Sequence, residues 1–244
     1  MTYKLIGVGN NAKTIKGDGS EFLTAILYML SFKTVFKGKV HNLCAMADTA
    51  KCADDCLRFA GRGQMQSVHK GRERKTHMYI GDRIQFFDVL HQDLTKFTAY
   101  CLKRGITPCF RPDGTTDTGM GLRIAGNHPD VQFYDYTKVV KRAYMDLPSN
   151  YHLTLSYSEA NPDYAEQVYR ACLDTGTNMA VVFRNELPDT FRGLPVINGD
   201  NDDLRFLDPK GVVVGLKAKG SAKRNTSGFV IDTDVDEWIK YRLG

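Results

Sequence analysis

Between Asp82 and Arg104 the apolar residues Ile84, Phe87, Leu90, Leu94, Phe97 and Cys101 recur every three or four positions. That spacing predicts one helix with a single buried stripe. Asp82 offers an N-cap with Gln85 three residues on, and Gly105 after Lys103 and Arg104 marks the stop. Beyond it the pattern shortens to apolar runs of strand type: Ile106 to Phe110, Val131 to Tyr134, Tyr151 to Leu155, Met179 to Phe183, Pro195 to Ile197 and Val212 to Leu216. Helical stretches separate several of these. Thr137 to Asp146 carries Val139, Val140, Ala143 and Tyr144, and Asp163 to Asp174 follows Asn161 as cap and Pro162 in the first turn.

Strands spaced by helices imply a parallel sheet with right-handed crossovers. Six such strands fit a partial β/α barrel or an open doubly wound sheet; the expected fold is α/β, a partial β/α barrel of about six mostly parallel strands behind an N-terminal cysteine-bearing helical segment. Residues 1–244 are expected to form a single domain, with 36–80 as metal-binding loop and basic helix and 106–231 as the barrel-like body. The N-terminal third otherwise reads as irregular or helical. Val235, Trp238 and Ile239 suggest a closing amphipathic helix.

Composition narrows the classes. With 244 residues, 42% hydrophobic and 25% charged, the chain can bury a full core and is neither disordered nor collagen-like. The best candidate for a membrane span, Phe22 to Phe36, is interrupted by Lys33 and falls short of the roughly 20 residues required. No signal-peptide pattern opens the chain, so the expectation is a cytoplasmic protein with no membrane partner, in a reducing compartment where disulfides rarely persist.

In parallel α/β folds, functional groups gather where strands end. The apolar runs are followed in turn by Arg111, Asp113 and Asp117; by Asp135 and Lys138; by Ser156, Ser158 and Glu159; by Arg184 and Asn185; by Asp200, Asp202 and Asp203; and by Lys217 and Lys219. These could line one polar mouth, although loops are polar in any case because buried backbone there would go unpaired. Arg111, Asp113, Asp117, Ser156, Ser158, Lys217 and Lys219 are the candidate substrate-binding residues. Asp135, Lys138 and Glu159 are the catalytic candidates, Asp135 or Glu159 for proton transfer.

The cysteines are a sharper signal. Cys44, Cys52 and Cys56 fall in a polar stretch, and Cys52 and Cys56 would share one side of a helix over Thr49–Phe59. Three thiolates without a fourth nearby suit a [4Fe–4S] cluster with one iron left open, or zinc completed by His41 or His69. The plain alternative is three small buried residues. Cys101 and Cys172 sit on apolar helix faces and read as packing, as does Cys109 within a strand, which stays in reserve as a ligand.

Net charge is +5. The excess concentrates after the cysteines, where Lys51, Arg58, Arg62, Lys70, Arg72, Arg74 and Lys75 face only Asp54, Asp55 and Glu73. A basic helix over 62–77 could hold a small-molecule or phosphate-bearing substrate, or nucleic acid, or be simply a solvated face. No Walker loop and no Gly-x-Gly-x-x-Gly opening a helix is present.

Taken together, His41-Asn42-Leu43-Cys44 through Cys52, Cys56 and Gly61-Arg62-Gly63, then Gly114-Thr115-Thr116-Asp117, Val131 through Lys138, Asn150 through Thr154, Asn178 through Phe183 and Leu216 through Gly220 resemble the phage "gene product 88" domain family over about residues 10–231. The resemblance implies a phage protein working in the host cell cytosol, and brings no activity with it. A looser similarity to the radical-SAM superfamily rests on three cysteines ahead of a partial barrel. It implies that Cys44, Cys52 and Cys56 ligate three irons while the fourth binds S-adenosylmethionine. Here the spacing is Cys-x7-Cys-x3-Cys rather than Cys-x3-Cys-x2-Cys. The function expected is an iron–sulfur protein, an enzyme of radical-SAM-like or other type. The alternative is a zinc- or cluster-stabilised protein binding nucleic acid or a host protein.

Overall fold

A computed structural model describes residues 3–9, 14, 19, 21–56, 63 and 65–233. The helix expected around Trp238 lies outside them. In chain order, β1 (Ile6–Val8) and β2 (Phe22–Leu27) precede a hairpin of β3 (Lys33–Phe36) and β4 (Lys39–Asn42). After the cysteine segment come α1 (Gln66–Gly81) and α2 (Arg83–Leu102). The rest alternates: β5 (Thr107–Arg111), α3 (Met120–Ile124), β6 (Gln132–Thr137), β7 (Tyr151–Ser156), α4 (Pro162–Thr175), β8 (Met179–Phe183), β9 (Thr190–Phe191), β10 (Leu194–Asn198), β11 (Val213–Lys217) and β12 (Val230–Ile231).

The main sheet follows the order β1-β2-β5-β6-β7-β8-β11-β10-β9, with β12 added beside β8. Every neighbouring pair from β2 to β10 is parallel, while β1 and β9 run antiparallel at the two ends. The protein is therefore mixed α/β with a mostly parallel central sheet. It has more strands than the six expected, and among the described residues the path does not close into a barrel. β7 accompanies β8 only at Leu155–Met179 and Ser156–Ala180. Farther along, β12 takes that place, pairing Val230 with Val182 and Ile231 with Phe183.

All six expected strands form, within a few residues of their expected bounds. β2 lies in the apolar run considered for a membrane, and its last four residues are buried without alternation, as in a strand covered on both faces. β1, β9 and β12 are too short to show a period.

Alternation along the strands gives the sheet two different faces. On one, Ala25, Leu27, Phe110, Phe133 and Leu153 pack against Phe86, Leu90, Leu94, Phe97 and Cys101 of α2. Farther across, Leu155, Met179, Val181, Phe183 and Val213 meet Tyr164, Val168, Ala171 and Cys172 of α4. The caps are as expected: Asp82 accepts from the Gln85 amide at 2.9 Å, and Asn161 from that of Tyr164. The opposite face carries polar groups and is covered by the crossover from β10 to β11. There Asp203 pairs with Arg111 at 2.9 Å and accepts from the hydroxyls of Tyr134 and Tyr136, while Phe206 meets the rings of Phe22 and Tyr134.

Two expected helices are replaced by turns. Over 137–146 only a 3-10 turn, Val140–Tyr144, forms. Asp117 draws in the Thr137 hydroxyl, the Lys138 amide and the Arg142 guanidinium, and such side-chain bonds compete with helical ones. The segment from Cys44 to Cys56 is likewise a chain of turns, with Lys51 at φ 51° interrupting a helix there, while residues 57–59 of the expected helix lie outside the described residues.

Candidate functional site

The cysteine segment lies against residues that follow the C-terminal ends of parallel strands. After β2, the Ser31 hydroxyl stands 3.1 Å from the Cys56 sulfur, and the Phe32 carbonyl accepts the Leu43 amide. After β5, the Asp117 amide donates to the Leu43 carbonyl, and the Cys44 thiol points at the Thr115 carbonyl 3.8 Å away. After β7, the buried Ser158 hydroxyl donates to the Ala50 carbonyl at 2.8 Å. After β11, Asn225 donates to Asp55 at 2.6 Å. Cys52 turns toward its own loop, 3.9 Å from the Ala47 carbonyl.

All three thiols are reduced and half-buried, whereas Cys101, Cys109 and Cys172 are buried. Burial pushes the Cys44 thiol up to about 12, opposed by the Phe32 backbone and reinforced by Cys56, Asp117 and Asp113. Among the described residues, no three His, Cys, Asp or Glu side chains converge as a set for one metal ion.

Beside Cys44 lies a web of carboxylates. Asp113, just past β5, accepts from the hydroxyls of Thr116 at 2.5 Å and Thr118 at 2.9 Å and from the Gly119 amide at 2.8 Å. Its own amide donates to Asp135, whose other oxygen meets the Tyr151 hydroxyl at 3.1 Å. Burial raises the Asp113 carboxyl, with bonds from Thr116 resisting, and holds Asp135 well above the usual carboxylate range, with Asp113 adding to it. Asp117 ties Thr137, Lys138 and Arg142 together.

The remaining candidates disperse. Arg111 lies on the opposite sheet face with Asp203, its guanidinium 4.6 Å from the Tyr136 ring. The Ser156 carbonyl accepts from the Tyr164 hydroxyl, and exposed Glu159 accepts from Tyr157. The Lys138 amine stands 5.6 Å from the Phe229 ring. Lys217 and Lys219 are both held by Asp200, through an amide and an amine respectively. The structure thus unites Asp113, Asp117 and Asp135 near the cysteines and keeps Arg111, Lys217 and Lys219 apart from them.

The basic helix forms as α1 but presents less charge than its composition suggests. Lys70 and Arg74 are exposed, while Arg72 stacks 5.1 Å from the Tyr28 ring. Burial lowers the Lys75 amine to about 8, helped by Arg74 and Arg72. Sequence reasoning missed a cleft of about 280 Å³ beside Cys44, bounded by Leu43, Tyr79, Asp117 and the arginines Arg83, Arg123 and Arg142. Those arginines come from three separate elements, and no local pattern in the sequence links them.

No helix among the described residues is long and apolar enough to cross a membrane. No curated protein and no solved structure matches the chain significantly, and nothing in the comparisons supports the radical-SAM similarity. A family profile described as Gene product 88 matches residues 4–233, nearly the whole chain. The protein belongs to that bacteriophage family.

Proposed function

We propose that this protein is a phage iron–sulfur protein in which Cys44, Cys52 and Cys56 hold a [4Fe–4S] cluster over the strand ends. The observation carrying this reading is the anchoring of the cysteine segment to residues after β2, β5, β7 and β11. A loop so attached delivers three thiols to the edge where parallel α/β proteins keep their chemistry.

The donor set fits in kind. Thiolates are the usual cluster ligands, and these three are half-buried, Cys52 with one side against the core, whereas Cys101, Cys109 and Cys172 are buried. A single tetrahedral zinc ion is a poorer fit, since it requires ligands converging on one point. In a four-iron cluster each of the three cysteines would serve a different iron, so their sulfurs would not have to meet at one point. When bound, such a cluster supplies one-electron chemistry. The chain's own contribution is to position: Asp113 and Asp117 brace the loop after β5 against which Cys44 rests, and Ser158 holds the middle of the cysteine segment. Phe206 reaches Phe22 on β2 from the far crossover, as a sheet curling toward a partial barrel would require.

Anaerobically purified protein should be brown, absorb at roughly 400 nm and contain iron and acid-labile sulfide. Colourless protein with stoichiometric zinc would sink this reading. Catalysis is a further step: reduced protein given S-adenosylmethionine should release 5′-deoxyadenosine if the cluster acts as in radical-SAM enzymes, and none if it serves another redox role.

A further inference from the structure

The cleft beside Cys44 has an unusual charge balance. Arg83, Arg123 and Arg142 line it, against the single carboxylate of Asp117, which leaves two positive charges in excess. Each arginine is held differently. The Arg142 guanidinium is fixed by Asp117 and by the Thr137 hydroxyl at 2.8 Å. It packs so closely on Gly119 (φ 68°) that a Cβ there would come within 2.8 Å of it. Arg83 lies 4.2 Å from the Tyr79 ring centre with its Nε on the Tyr79 carbonyl, so both terminal nitrogens remain uncommitted among the described residues. Arg123 is exposed in the last turn of α3 and has no hydrogen-bond or ion-pair partner among them.

We propose that this cleft binds the phosphate group of a small phosphate monoester. Guanidinium forks match phosphate oxygens two at a time, and a phosphate monoester is close to doubly negative at pH 7. Two excess charges therefore meet their complement, with Arg83 and Arg123 donating and Arg142 setting the field from its place on Asp117. Leu43 and Tyr79 supply an apolar wall for the body of the ligand, and the volume suits a phosphate with a sugar-sized group. A nucleic-acid backbone fits less well. It needs a continuous basic track, and on neighbouring α1 Arg72 and Lys75 are half-buried. The site requires no metal and stands whether or not the cysteines bind one.

Calorimetric titration of the full chain with ribose 5-phosphate, ribose and oligothymidylate tests it. Ribose 5-phosphate should bind and ribose should not. Arg123→Gln should weaken binding about tenfold or more, since a charge-assisted bond contributes about 1.5–3 kcal/mol. Arg123→Lys should recover part of the loss, and Arg74→Gln on the exposed side of α1 should change nothing. Arg83→Gln provides a second removal of donors, and circular dichroism and metal content should be unchanged in Arg123→Gln. No binding of ribose 5-phosphate, or binding that survives both Arg123→Gln and Arg83→Gln, would overturn the proposal. Tighter binding of oligothymidylate would overturn it in favour of nucleic acid.

Discussion

The carboxylates Asp113, Asp117 and Asp135 and the thiols of Cys44, Cys52 and Cys56 occupy adjoining parts of the molecule and are treated in opposite ways. Asp113 receives two hydroxyls and an amide, and Asp117 receives a hydroxyl, an amide and a guanidinium. The thiols of Cys44 and Cys52 meet carbonyls at 3.8 and 3.9 Å, and the Cys56 sulfur meets one hydroxyl, that of Ser31, at 3.1 Å. Buried polar groups cost free energy unless paired, so a saturated carboxylate is a structural fastener. A half-buried thiol with a single neutral contact fastens far less than such a carboxylate. Residue type suggested chemistry in both places; bonding separates them.

The comparison breaks most visibly at the cysteines. Replacing Cys44, Cys52 or Cys56 singly by Ser should abolish iron and sulfide content while leaving the metal-free protein almost as stable. Full metal retention in all three variants, by elemental analysis, would remove the contrast. Asp113→Ala should show the reverse, costing about 3 kcal/mol in urea unfolding, because buried donors lose their acceptor. A smaller effect is expected at the seam between the regions. Ser158→Ala removes the bond to Ala50 and should cost about 1 kcal/mol, with faster amide exchange in residues 46–52.

The subtlest effect is a pH dependence. The Asp135 carboxyl is raised well above its ordinary value, mainly by burial, so the folded chain favours its protonated form. Its contribution is intact at pH below the ordinary carboxylate range and is lost as pH rises from there through the raised folded value. Asp135→Asn, which cannot ionise, should thus gain in thermal midpoint relative to the wild type between pH 4.5 and 7.5. A constant difference across that range would show that Asp135 ionises as easily folded as unfolded.

How much of this could be read in the sequence depended on whether the signal was local. Four of the six stripe residues, Leu90, Leu94, Phe97 and Cys101, are buried as expected, and the caps Asp82 and Asn161 and the six strand-type runs form as expected, all determined within a few residues. At the start of the helix Phe86 takes the buried place, leaving Ile84 exposed and Phe87 half-buried. The turn at Val140–Tyr144 depends on Asp117, more than twenty positions away, which no periodicity reveals. The cysteine segment had helical composition but is held by Ser31, Thr115, Ser158 and Asn225, scattered along most of the chain. Polar strand ends were correctly located, yet their grouping was not. Side-chain direction puts Arg111 on one face of the sheet and Asp135 on the other.

The strand β12 has a consequence for how the molecule comes into being. Val230 and Ile231 occupy a place in the middle of the sheet, beside Val182 and Phe183, where β7 has already turned away. A nascent chain emerging from the ribosome has β2, β5, β6, β7 and β8 available well before those two residues. Until they arrive, β8 offers an open apolar edge of the sort other chains can pair with. The last of the described strands to be made is thus an internal keystone, and chains cut short before Val230 should be the ones that aggregate.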